Sequence, residues 1–222
     1  MITAMIEGQP VRNAVTMNID PISPISALNA CKPYKSFADV IRMAKAKPDS
    51  ITYGSVGSGS LGHLTLTLVQ QMGAFKIVHI PYKGGGPMTT EVLGGQVELG
   101  VGSVALLSPQ VKGGKMRALA VTSDKRSQAM PDAQTLVEQG FPGLSVLAWW
   151  GILAPAGTPK PIVDKFHAEL SKVFNAPELR KQLTEQMGMD LVVSSPAELQ
   201  KFLVTEIARW GKVVKENNIK AE

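Results

Sequence analysis

A chain of 222 residues with 44% hydrophobic content is long enough to bury one large core or two small ones. Its net charge of +5 comes from 23 Lys and Arg against 18 Asp and Glu spread along the chain, which fits an anionic small molecule and argues against nucleic acid. The lone cysteine, Cys31, excludes an intramolecular disulfide, and with it the scattered His63, His79 and His167 make no zinc-type spacing. No apolar run reaches membrane-spanning length, and residues at the start lack the basic, apolar, small-residue order of a signal peptide.

In chain order, residues 1–33 are punctuated by Pro10, Pro21, Pro24 and Pro33 and are expected to form an irregular hinge segment. Ser36 reads as an N-cap with Asp39 at the third helical position. Phe37, Val40, Ile41 and Ala44 then form one apolar stripe that Pro48 closes. From there strands and helices alternate: strand 51–56, helix 61–72, strand 76–80, helix 87–93, strand 97–101, helix 104–111 and strand 116–122. Such alternation implies parallel strands joined by right-handed crossovers, hence an open α/β sheet whose ligands sit beyond the carboxyl ends of the strands.

A polar stretch from Ser123 to Gly143, with a short helix at 133–139, places a boundary near Val121 to Asp124. Residues 147–154, with Trp149 and Trp150, read as a buried strand on which one indole faces the core and the other a cleft. Helices 160–174 and 177–187 and a strand at 190–193 follow. Ser195 and Glu198 form a capping box for a last helix whose Leu199, Phe202, Leu203, Ile207, Trp210 and Val214 trace a broad apolar face.

The stretch Ile51 to His63, ITYGSVGSGSLGH, carries the chemistry. A β-rich run enters a turn with Gly57, Gly59 and the hydroxyls of Ser55, Ser58 and Ser60, and a helix opens at Leu61. Glycines permit close backbone approach, and the first amides of a helix have no internal partner, so the pattern predicts an anion site. Tyr82, Lys83 and Gly84 after the next strand, and Gly102 with Ser103 after the third, fall at the same kind of strand end and are expected to share one crevice edge.

Gly57, Gly59 and Gly62 also satisfy the dinucleotide pattern, yet the next strand ends in His79, Ile80, Pro81, Tyr82 with no carboxylate for a ribose. Lys83 could take a 2′-phosphate, which leaves an NADP-binding or small-anion-sensing module as the alternative. His63 is either a partner of the hydroxyl loop or a half-buried structural histidine. No G-x-S-x-G elbow occurs, and the strand ends lack an obvious base, so no catalytic residue is assigned.

The runs YGSVGSGSLGHLTL, VHIPYKGGGPMTTEVLGGQVELGVGS, VKGGKMRALAVTSDKRSQAMPD, WWGILAPAGTPKPIV and EIARWGKVVKENNIK resemble, in this order, the Bug-type substrate-binding proteins of tripartite tricarboxylate transporters. The resemblance covers residues 34–220. It implies a periplasmic-binding-protein type II-like α/β fold of two lobes with mostly parallel open sheets, no enzymatic activity and no cofactor. It implies a small di- or tricarboxylate or aromatic acid as ligand, membrane permease subunits as partners, no nucleic acid, and a periplasmic location. By the same resemblance Ser55, Gly57, Ser58, Gly59, Ser60 and His63 form the second-lobe carboxylate loop, and Pro81 to Gly85 the proline-tyrosine-lysine-glycine turn. Gly102 and Ser103 stand where family members often carry a polar pair. Trp149 is added to the ligand residues. The expected domains are residues 1–33 as hinge, 34–122 as the second lobe and 123–222 as the C-terminal half of the first. By this resemblance that lobe is expected to be without the family's leading segment, and a homo-oligomer is expected to complete its sheet.

Overall fold

A computed structural model of the chain describes residues 18–20, 25–29, 34–127, 129–147, 149, 151–155, 157–183 and 190–220. It resolves into two compact units, one of residues 22–148 and one of residues 1–21 with 149–221.

The first of these is built on a five-stranded sheet. Its strands are β2 (Ile25–Asn29), β3 (Thr52–Ser55), β4 (Val78–Pro81), β5 (Leu99–Gly102) and β6 (Met116–Val121), in the order β4-β3-β5-β2-β6. β3 is parallel to both β4 and β5, with Tyr53 opposite His79 on one side and Leu99 on the other. The helices that link these strands are α2 (Leu61–Gly73), α3 (Gly85–Leu93) and α4 (Val104–Lys112), each following a strand as the sequence rhythm predicts. β5 is buried along its whole length, as a strand covered on both faces should be.

Helix α1 (Phe37–Ala46) opens on the expected capping box. The Ser36 hydroxyl accepts from the Asp39 amide, and the Asp39 carboxylate accepts from the Ser36 amide. Phe37, fully buried, meets Phe75 and Phe141 edge to face at 6.2 and 6.4 Å, which nails the helix to the core.

Three expectations are corrected. Within the segment expected to be irregular, residues 25–29 form β2, which lies antiparallel between β5 and β6. The boundary does not fall near Val121 to Asp124. The Val121 amide donates to Gln134 O, the Leu136 amide to Val121 O and the Val146 amide to Thr122 O, so residues 134–146 pack along the outer edge of β6. The expected helix at 133–139 is a series of turns. These contacts occupy the carboxyl end of that edge, and the Gln139 side-chain amide donates to Leu119 O beside them.

The other unit holds a two-stranded antiparallel pair, β1 (Asn18–Asp20) with β7 (Asp190–Val192), and helices α5 (Lys160–Phe174), α6 (Pro177–Lys181) and α7 (Pro196–Glu216). The strand expected at 147–154 is not formed among the described residues, and Trp150 lies outside them. Ser195 and Glu198 make the capping box of α7 as read from the sequence. Leu199 and Leu203 are buried there, with Trp149, Leu153, Phe202 and Ile207 packed against them. Trp210 is fully buried, and its indole N–H donates to Glu206 Oε2 at 2.9 Å.

Gly62 on α2 faces β5 so closely that an added Cβ would stand 2.8 Å from Val101 Cγ1, a branched and buried side chain that cannot swing away. Gly62→Ala is therefore expected to destabilise by about 1–3 kcal/mol through overpacking. Urea unfolding monitored by circular dichroism checks this, the expected result being a lower midpoint with an unchanged slope.

Candidate functional site

Because β4, β3 and β5 are adjacent and parallel, their carboxyl ends lie on one edge of the sheet, and α2, α3 and α4 each begin there. Three helix starts thus bring their outermost amides, and the positive ends of their dipoles, to one place. The Ser60 hydroxyl accepts from the His63 amide at the start of α2, and the Ser103 hydroxyl from the Leu106 amide at the start of α4. In both roles the serine oxygen is an acceptor, so its own hydrogen can turn to a ligand. The start of α3 is made differently. Its N-cap is Gly84, at φ +105° and with no side-chain cap, a conformation that suits glycine.

The glycine-hydroxyl turn between β3 and α2 is held from inside. Ser55 is fully buried and donates to Gly57 O at 2.9 Å, while the Gly57 amide donates back to Ser55 Oγ at 3.3 Å. His79 Nε2, from the neighbouring strand, lies 2.7 Å from the same oxygen. With the single Ser55 hydrogen on the Gly57 carbonyl, His79 is the donor in that contact and carries its proton on Nε2. One turn into α2, His63 Nδ1 accepts from the Gly59 amide at 3.1 Å. Gly57 at φ +147° and Gly59 at φ +70° are where the turn uses the freedom of glycine.

The two imidazoles stack at 3.8 Å with 19° between planes, and Tyr53 stacks with His79 at 4.9 Å. Burial keeps both rings neutral. It lowers the His63 pKa, and burial followed by the neighbouring His63 lowers that of His79 to about 4. Burial pushes the Tyr53 hydroxyl well above its ordinary range.

Eleven of the twelve residues expected at the site therefore fall in the unit that carries this edge. Ser58 lies in the turn, Ser60 and Ser103 are N-caps, Gly84 opens α3, and Lys83 is exposed beside it. Tyr82 is half-buried with its ring 3.0 Å from where a Cβ on Gly54 would stand, and Gly102 is enclosed by Leu106 and Met88. Ser55 departs from its expected role, since it is sealed within the turn and shapes it. Trp149 belongs to the other unit, where its ring meets Phe202 edge to face at 5.3 Å and its indole nitrogen is buried without a partner. Sequence reasoning missed His79. The available signal was its place opposite Tyr53 in two parallel strands, on the same face as Ser55. Among the described residues no group of three His, Cys, Asp or Glu side chains is placed to hold a metal, and no helix is long and apolar enough to cross a membrane.

The profile of the tripartite tricarboxylate transporter family receptor, TctC, matches residues 10–219. A protein from the tcbD-tcbE intergenic region of Pseudomonas sp. strain P51 is 30% identical over 85% of this chain and 56% of its own length. BugT of Bordetella pertussis is 27% identical over 98% of this chain and 72% of its own length. Among solved structures, R. palustris Rpa4515 with adipate superposes with a TM-score of 0.85 at 31% identity, covering 94% of this chain and 69% of that one. The periplasmic binding protein BugD superposes at 0.81 and 28% identity over 95% and 70% of the two chains. The chain spans about half the length of the first curated relatives it matches.

The folded state holds His79 neutral, whereas the unfolded chain takes up a proton below pH 6.5. The stability this contributes is complete above pH 6.5 and is lost as pH falls towards 4. Melting temperatures measured between pH 7.5 and pH 4 are expected to fall less steeply for His79→Gln than for the unaltered chain. Parallel curves would show that His79 titrates normally in the fold.

Proposed function

We propose that this chain, which belongs to the tripartite tricarboxylate transporter receptor family, binds the carboxylate of a small organic acid at the shared edge of β3, β4 and β5. The family is one of solute receptors and not of enzymes, and the groups at this edge suit that role. They offer hydroxyls and helix-start amides that hold an anion without attacking it.

The convergence of three helix starts, two of them capped by serines with a hydrogen to spare, is the observation that carries the reading. Support comes from relatives: R. palustris Rpa4515 was solved with adipate, and MatC of Rhodopseudomonas palustris, 25% identical with a TM-score of 0.78, with bound malate. On this reading Ser58, Ser60, Ser103 and the amides around Gly84 meet the carboxylate, Lys83 adds long-range attraction, and His63 braces the turn. Delivery to membrane permease subunits in the periplasm follows as a proposal from the family. The NADP alternative has no comparable support, since β4 ends without the acidic residue a ribose needs.

Titration calorimetry with malate, adipate and citrate tests the proposal. At least one is expected to bind, and the pair Ser58→Ala with Ser60→Ala to weaken it about tenfold or more, the scale of one or two hydrogen bonds to a charged group. Unchanged affinity in the pair would remove the turn from the site, and tighter binding of NADP than of any acid would favour the alternative. Lys83→Gln should cost more affinity at low salt than at high salt, because an exposed charge is screened.

Self-association is a separate proposal, supported by Ile162, Phe166 and Val173, which leave an exposed apolar line along α5. Light scattering is expected to give a mass above that of one chain, and a single-chain mass would end the proposal.

A further inference from the structure

The carboxylate reading leaves a cluster unexplained. Four side chains beneath the turn, Ser55, His79, His63 and Tyr53, are packed more tightly than a surface loop needs, and the two imidazoles use different ring nitrogens. His63 presents Nδ1 as an acceptor to the Gly59 amide. His79 places Nε2 2.7 Å from Ser55 Oγ, which in turn holds both the carbonyl and the amide of Gly57. The two glycines of the turn, each at positive φ, are thus fixed by one histidine apiece.

We propose that His63 and His79 are positioning residues for the carboxylate-binding turn, His63 through Nδ1 on the Gly59 amide and His79 through Nε2–H on the Ser55 hydroxyl, neither touching the ligand.

The inference rests on the carboxylate reading, and the physical reason is preorganisation. A glycine-rich turn has many accessible conformations, and a ligand that had to select one would lose affinity in ordering it. Two internal hydrogen bonds that fix Gly57 and Gly59 before binding remove that cost. The stack at 3.8 Å makes the two braces one rigid body, with Tyr53 as its floor. His63 must be neutral for this. A proton on His63 Nδ1 would oppose the Gly59 amide donor to donor, and burial of both rings disfavours that proton. Burial shifts both rings and, for His79, the stacked His63 adds to it.

The test uses side-chain amides as atom-by-atom replacements for one ring nitrogen. Asn reaches to the position of Nδ1 and Gln to that of Nε2, so His63→Asn keeps the acceptor and His79→Gln keeps the donor. Phe keeps the stack and loses both. Affinity for whichever of malate, adipate or citrate binds the unaltered full chain is expected to stay within about threefold in His63→Asn and in His79→Gln. It should fall about tenfold in His63→Phe and His79→Phe, the scale of one lost hydrogen bond. If the Phe variants bind as well as the unaltered chain, or the amide variants bind as poorly as Phe, the rings matter only as packing and the inference is overturned.

If none of the three acids binds the unaltered chain, the carboxylate reading fails by itself. The geometry then still has its own test in the free protein. Long-range proton-nitrogen correlation spectra are expected to show both rings as the Nε2–H tautomer, with His63 Nδ1 shifted as a hydrogen-bonded acceptor. An Nδ1–H tautomer at either ring overturns the proposal.

Discussion

The parallel pairing of β3 with β4 on one side and β5 on the other is the constraint on which the rest depends. A parallel pair cannot be joined by a tight turn, so each strand must hand over to a helix that runs back along the sheet. Three successive strands running the same way therefore deliver three helix starts to one edge. Helix starts are the part of a fold with amide hydrogens to spare, and so the sheet's connectivity gathers such amides at one edge before any side chain is chosen. Serines at two of those starts, and glycine at the third, then adapt it to close approach.

How much of this could be read from residues follows the range of the interactions. Capping boxes at Ser36 and Ser195, the strand-turn-helix at Thr52 to Gly73 and the helix start at Ser103 depend on neighbours within a few positions, and all are legible. β2 is not, because prolines crowd its flanks and its partners lie far along the chain. The helix expected at 133–139 is replaced by turns. What holds them is the backbone of Val121, and no local pattern announces that.

The site shows the same division. The glycines and hydroxyls of the turn were visible as a local motif, whereas the roles of Ser55 and His79 depend on a contact across two strands. Sequence spacing treated the three serines at Ser55, Ser58 and Ser60 as equivalent. The pleat separates them: Ser55 ends a strand with its side chain inward, and Ser60 has already left the sheet to cap a helix.

The position of β2 bears on how this unit is assembled. Its residues are synthesised ahead of everything else in the sheet, yet they fill the slot between β5 and β6, pairing Ile25 with both Gly102 and Val121. Until those last strands exist, an early segment must wait with its backbone groups unmatched, and the loop it finally closes is nearly the whole unit. Topologies dominated by such distant pairings fold slowly and leave strand edges open to neighbours in the meantime. The sheet therefore closes around its earliest strand only once β6, its latest, is present to pair with it.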